Sequence, residues 1–210
     1  MSKEFDLKKI TTPILLHLLK DELAFPLLFI AQCKLTVNRF KKRIDRKFPK
    51  EFVDMTALPV WVYMKLKQKI GQRKAFEIMR VAILTGGVAK QSLLFETIAR
   101  ERTFQNFITQ ELEINRTGTT RWNTLEIVER TDSRFEIKIT RCLFHELTCS
   151  LGIPELTPVI CQVDNAVFNS YLPEEMIFHR GKDKRRIADG SSVCPFVWEF
   201  IKPKQTSSNG

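Results

Sequence analysis

The spacing of apolar residues changes near Asn115, and that change restricts the chain to an α+β fold. Before it, Ile10, Ile14, Leu15, Leu18 and Leu19 recur at three- and four-residue intervals, as do Phe25, Leu28, Phe29, Gln32 and Leu35. This is the repeat of helices with one buried face. Pro13 and Pro26 fit helix starts or kinks. Two more helices are expected over residues 60–69 and 74–84, separated by Gly71. A turn is expected at Thr85-Gly86-Gly87, followed by one long amphipathic helix over residues 90–111. The two glycines are adjacent and flanked by helix, which does not fit a phosphate-binding loop.

After Asn115 the period drops to two. Residues 125–130 and 135–140 alternate around Thr131-Asp132-Ser133, as in a β-hairpin with one buried face. Short helices follow over residues 142–151, stopped by Gly152, and 158–171, stopped by Pro173. Residues 176–179 and 193–201 read as two further strands. The expected organisation is a helical region over residues 1–115, then an antiparallel sheet in the order β-β-α-α-β-β covered by helices over 116–201. A polar tail at 202–210 completes the chain, the whole forming one compact unit.

The balance of 34 basic against 24 acidic residues leaves a net charge of +10, which raises an anionic partner. Residues 34–50 hold eight basic side chains and one acid, Asp45, and Lys182, Lys184, Arg185 and Arg186 form a second cluster. No aromatic residues interleave with either cluster in a base-stacking pattern, so a solvated helix face and a loop are expected rather than a nucleic-acid partner. The longest purely apolar run is nine residues, 23–31, and a spanning helix needs about 20, so no membrane partner is expected. Sixteen Phe against two Tyr suit a dry core. The start, Met1-Ser2-Lys3-Glu4-Phe5-Asp6, does not read as a secretory signal. With an odd number of cysteines, a cytoplasmic location and chemical rather than structural thiols are expected.

Four of the five cysteines follow residue 140, and acid–base residues stand beside them. Cys142, His145 and Glu146 share one helix face by spacing, and Cys161 and Asp164 share another. Cys194 opens the last strand. A thiol beside an imidazole can act as an activated nucleophile. Cys149 and Cys33 read instead as small buried hydrophobes. Cys142, Cys161, Cys194 and His145 would also make a Cys₃His zinc set, but no Cys-x-x-Cys knuckle supports one, and a site without metal or cofactor is preferred.

These motifs resemble the L-2-amino-thiazoline-4-carboxylic acid hydrolase family. The resemblance rests on Cys142-Leu-Phe-His145-Glu146, on residues 151–158 (Leu-Gly-Ile-Pro-Glu-Leu-Thr-Pro), on Cys161-Gln-Val-Asp164, and on Gly190 followed by Cys194-Pro-Phe196. Pro195 stands where the family has an acidic residue. The resemblance implies a hydrolase that opens a carbon–nitrogen or carbon–sulfur bond in a small cyclic amidine-like substrate. In one route a thiolate, Cys142 or Cys161, adds to the ring carbon between sulfur and nitrogen, His145 or Glu146 moves the proton, and Asp164 orients the imidazole or binds the amidine. In a second route Glu146 or Asp164 activates water directly. Arg141 and Arg180 are the candidate cations for a substrate carboxylate. The rival from another class is a non-catalytic module binding a small molecule, tetrapyrrole or metal; a homo-oligomer is left open under either reading.

Overall fold

Helix and strand follow the change of period. In the computed structural model the described residues are 8–98, 101–118, 120–182 and 185–201. They form α1 (Lys8–Leu19), α2 (Pro26–Lys41), α3 (Lys50–Ile70), α4 (Gln72–Ile98), α5 (Phe104–Thr117), β1 (Thr124–Arg130), β2 (Arg134–Arg141), α6 (Leu143–Ser150), α7 (Thr157–Tyr171), β3 (Met176–His179) and β4 (Cys194–Phe200). The class is therefore α+β, with a helical N-terminal region and a four-stranded antiparallel sheet. The polar tail and Lys184 of the second basic cluster lie outside the described residues. The chain divides into two compact units, Met1–Lys90 with Leu143–Val163, and Gln91–Cys142 with Asp164–Gly210.

In the first unit Pro26 starts α2, and Gly71, in the left-handed region at φ 82°, separates α3 from α4. Gly152 (φ 69°) ends the turn after α6, a conformation that costs a side-chain-bearing residue more than glycine. Two expectations are corrected. The helix expected from residue 60 begins at Lys50, because Phe52, Val53, Thr56, Ala57, Val60 and Tyr63 make one buried stripe that carries it past Pro59. Gly86-Gly87 is not a turn: α4 runs straight through it. A Cβ on Gly87 would stand 2.7 Å from Val163 Cγ2 and 3.1 Å from Cγ1, so the glycine serves close packing of α4 on α7. One further observation concerns length and composition alone. One helix, Gln72–Glu96, is long and apolar enough to cross a membrane by length and composition, with mean hydropathy 1.3 and 22% of the window buried. Counting uninterrupted apolar residues overlooks it, because isolated polar residues dot the sequence.

The second unit holds the sheet, in the order β1-β2-β4-β3, every neighbour antiparallel. The single helix expected over 90–111 is two helices. Thr103 restarts the chain as the cap of α5, its hydroxyl accepting the Asn106 N–H at 3.1 Å. The alternation of β2 buries Phe135, Ile137 and Ile139, whose partners on β4 are Trp198, Phe196 and Cys194. Its hairpin mate β1 alternates in sequence but is an edge strand, and Ile127 and Val128 remain exposed. Arg134, on β2, holds Glu129, Glu136 and Glu199 from three strands. Trp198, fully buried, is packed against Phe107 of α5, Phe168 of α7, Phe135 and Phe178 at centroid distances of 5.1–5.5 Å. The excess of Phe over Tyr thus fills a dry core between helices and sheet.

The Gly87 contact gives a stability test. Alanine normally favours a helix over glycine by about 1 kcal/mol. Here overpacking against the stiff Val163 side chain costs roughly 1–3 kcal/mol. Gly87→Ala should therefore lower stability in urea denaturation, and adding Val163→Ala should recover part of the loss beyond the value expected from the two single variants.

Candidate active site

The residues with chemistry fall into two groups, one in each unit. In the second unit the site is built on the inner face of the sheet. Register places Ile139 opposite Cys194 and Phe178 opposite Trp198. Cys194 begins β4 while Arg141 ends β2 and Arg180 follows the end of β3. Because the strands are antiparallel, all three residues stand at the same end of the sheet. Arg180 is 6% exposed. Its guanidinium lies 4.2 Å from the Phe196 ring centroid and 5.4 Å from that of Phe178. Its Nη2 donates to Asp164 Oδ2 at 3.2 Å and its Nη1 to Cys194 Sγ at 3.5 Å. One buried cation therefore links a carboxylate on α7 to a thiol on β4.

The electrostatics of this group are set by burial. Burial lifts the Asp164 carboxyl to about 6, although the charge and hydrogen bond of Arg180 pull it down. Burial also raises the Cys194 thiol, with Arg180 opposing, so the neutral thiol is favoured at rest. A further carboxylate belongs to the same unit. Glu111 of α5 is 5% exposed. Burial pushes it up to about 8; a hydrogen bond from Asn115 Nδ2 at 2.8 Å resists this, and the Asp164 charge adds to it. The sequence reading passed over Glu111. The signal was an acid set within the apolar stripe Phe107, Ile108, Ile114 at helical spacing.

The second group is in the first unit. His145 of α6 is half-buried. Its Nδ1 lies 3.4 Å from Thr157 Oγ1, which is 2.7 Å from the buried Thr148 hydroxyl. Its Nε2 is 3.5 Å from Cys149 Sγ. Cys149 is exposed rather than buried, a correction to its reading as a core residue. It lies four residues after His145, on the outward side of the helix whose inner side carries Leu143 and Leu147. Glu146 is half-buried and Cys161 is buried on α7, one turn before Asp164; Cys142, half-buried, and Arg141, exposed, belong to the second unit. Cys33 is buried as expected, its thiol raised to about 11 by burial. Among the described residues no group of three or more His, Cys, Asp or Glu side chains could hold a metal ion. The prospective zinc set of Cys142, Cys161, Cys194 and His145 is included in that statement.

The family model described as L-2-amino-thiazoline-4-carboxylic acid hydrolase matches residues 51–198. The chain belongs to this family. The match reaches back from the cysteine motifs to the start of α3, so the family region includes α5 and Glu111 as well as both groups above. No curated protein matches the chain. Among solved structures the chain is similar to the Fe(II) unliganded H-NOX protein from K. algicida at 12% identity and TM-score 0.39, covering 93% of this chain and 97% of that one. It is also similar to a point mutant of that protein, at 13% identity and TM-score 0.38, covering 92% and 96%.

Two measurements check the side-chain chemistry. Glu111 is favoured in its protonated form by the fold, so its contribution is full below its ordinary value of 4.5 and is lost as pH rises through about 8. The stability of Glu111→Gln relative to the unmodified chain should thus climb across that window in urea titrations. A difference independent of pH would contradict the assignment. Separately, Cys149 should be the thiol most rapidly alkylated by iodoacetamide, being exposed and beside an imidazole. Peptide mapping after brief labelling should place the modification at Cys149 ahead of the buried Cys33, Cys161 and Cys194.

Proposed function

We propose that this chain is a hydrolase that opens a small cyclic amidine-like substrate of the 2-aminothiazoline-4-carboxylate type, and that Asp164 is its general base. The observation that carries this reading is the Asp164–Arg180–Cys194 group, in which burial brings a carboxyl to about 6 while Arg180 holds it at 3.2 Å. A base poised near neutral pH is mostly ionised yet still a competent proton acceptor. Family membership supplies the reaction class.

In this reading water adds to the ring carbon between sulfur and nitrogen, and Asp164 takes its proton. The ring carbon–nitrogen or carbon–sulfur bond then breaks, and the leaving atom takes a proton back. Glu111, held protonated up to about 8, is the adjacent proton store. Arg180 acts as a positioning residue, since its guanidinium is already committed to Asp164 and Cys194. Arg141, at the same end of the sheet, is the candidate cation for the substrate carboxylate. The raised Cys194 thiol favours the direct-water route over a covalent route through that sulfur.

Turnover of 2-aminothiazoline-4-carboxylate, followed by loss of the intact ring, tests the reading, and release of free thiol reports cleavage of the carbon–sulfur bond. Asp164→Asn should lower kcat by roughly 10²–10⁴-fold, whereas Cys194→Ser should keep most activity. In the unmodified protein kcat/KM should rise with pH through about 6 as Asp164 ionises. Full activity in Asp164→Asn, with loss in a cysteine variant, would instead establish the thiol route.

A further inference from the structure

Helix α2 carries apolar residues on two opposite sides. Phe29, Ile30, Cys33 and Phe40 are buried in the first unit. The other side is exposed and also carries apolar residues: Phe25 is 71% accessible, Leu27 71%, Leu28 56% and Leu35 82%. A helix in a water-facing position normally turns charge outward, and scattered apolar residues on a surface need no account, but three large ones on one helix with a fourth at its N-cap do. Leu28 and Leu35 stand two turns apart on one line, which Lys42 continues, with Lys34 and Arg39 flanking it. A shallow groove lined by Leu23, Phe25, Leu28, Gln32 and Lys69 opens at the start of the helix.

The charges around this face are predominantly positive. In residues 34–50 the eight cations meet one acid. Lys41 is paired with Asp54 at 2.8 Å. The side chains of Lys34, Arg39, Lys42, Arg43, Arg46, Lys47 and Lys50 are exposed. A second copy of the chain docking by the same face would bring two such clusters together, at an electrostatic penalty. A nucleic acid would satisfy the cations but offers no apolar layer for the leucines. An anionic bilayer satisfies both, with anionic headgroups for the Lys and Arg side chains and the acyl boundary for Phe and Leu.

We propose that the outer face of α2 docks reversibly on an anionic lipid bilayer, with Phe25, Leu27, Leu28 and Leu35 entering the headgroup–acyl boundary and the cations of residues 34–50 lying on the headgroups. Such docking needs no spanning segment, and it gives the basic cluster a role apart from the hydrolase site.

The test is co-sedimentation of the full chain, at low salt, with vesicles of phosphatidylcholine alone and of phosphatidylcholine with phosphatidylserine. The chain should sediment with the mixed vesicles and remain in solution with the neutral ones, and added salt should weaken the association. Leu28→Ser/Leu35→Ser removes only exposed side chains, so the fold is retained, as circular dichroism can verify. This variant should partition at least about tenfold more weakly. Arg39→Glu/Arg43→Glu should lose the preference for phosphatidylserine. Failure to sediment with the mixed vesicles overturns the proposal. So does equal binding by the leucine variant, the result expected of a charge-only surface such as one for nucleic acid. A dimer dispersed by the leucine variant, without vesicle binding, overturns it in favour of a second copy.

Discussion

A guanidinium enclosed by phenylalanine rings has to be neutralised where it sits. Arg180 is packed against Phe196 and Phe178 and is almost closed off from solvent. Removing one partner of a buried ion pair generally costs about 3–5 kcal/mol, because the other charge is left without compensation. Asp164 is therefore fixed by more than its own helix, and the end of β3 is tied to α7 and to the first residue of β4. The aromatic core around Trp198 sets the helices against the sheet, and the ion pair fixes the polar end of that arrangement.

The same pair explains why the carboxylates differ. Both Asp164 and Glu111 are raised by burial, but only Asp164 has a cation within hydrogen-bond distance. Asp164 comes to rest near 6 and Glu111 near 8. Two titratable groups separated in this way hold opposite protonation states at neutral pH, the condition for one to accept a proton while the other keeps one. The thiol of Cys194 contributes a neutral donor or acceptor rather than a ready nucleophile.

Much of this was legible in the sequence because it depends on local periodicity. The switch from a repeat near 3.6 to a repeat of two announced the β1–β2 hairpin, Cys194 and Asp164 were named from spacing and resemblance, and Arg180 was named only as a cation for a substrate carboxylate. What was not legible depends on partners distant in the chain. Gly87 looks like a break unless Val163 is known to lie against it. Glu111 looks like an ordinary helix acid until α5 is seen to bury it beside the charge of Asp164. Cys149 looked like a core residue because its neighbours Leu147 and Leu151 are apolar, yet helix geometry turns it outward beside His145. Spacing on one helix identifies which residues share a face; the neighbouring elements decide what that face meets.

Charge and chemistry are separated along this chain for a physical reason. An ionised group in the dry aromatic unit is tolerated only when paired, so a surplus of cations cannot be placed there. The surplus is carried instead by the surface after α2, where water solvates it, and only there can it act on a partner over distance. The apolar residues show the converse arrangement. Around Arg180 they raise the carboxyl of Asp164 by excluding water, whereas on the outer face of α2 they exclude none. Apolar surface left in water beside unopposed positive charge is stabilised only by something that supplies both an apolar layer and negative charge, and that requirement, rather than the total of +10, makes the basic cluster informative.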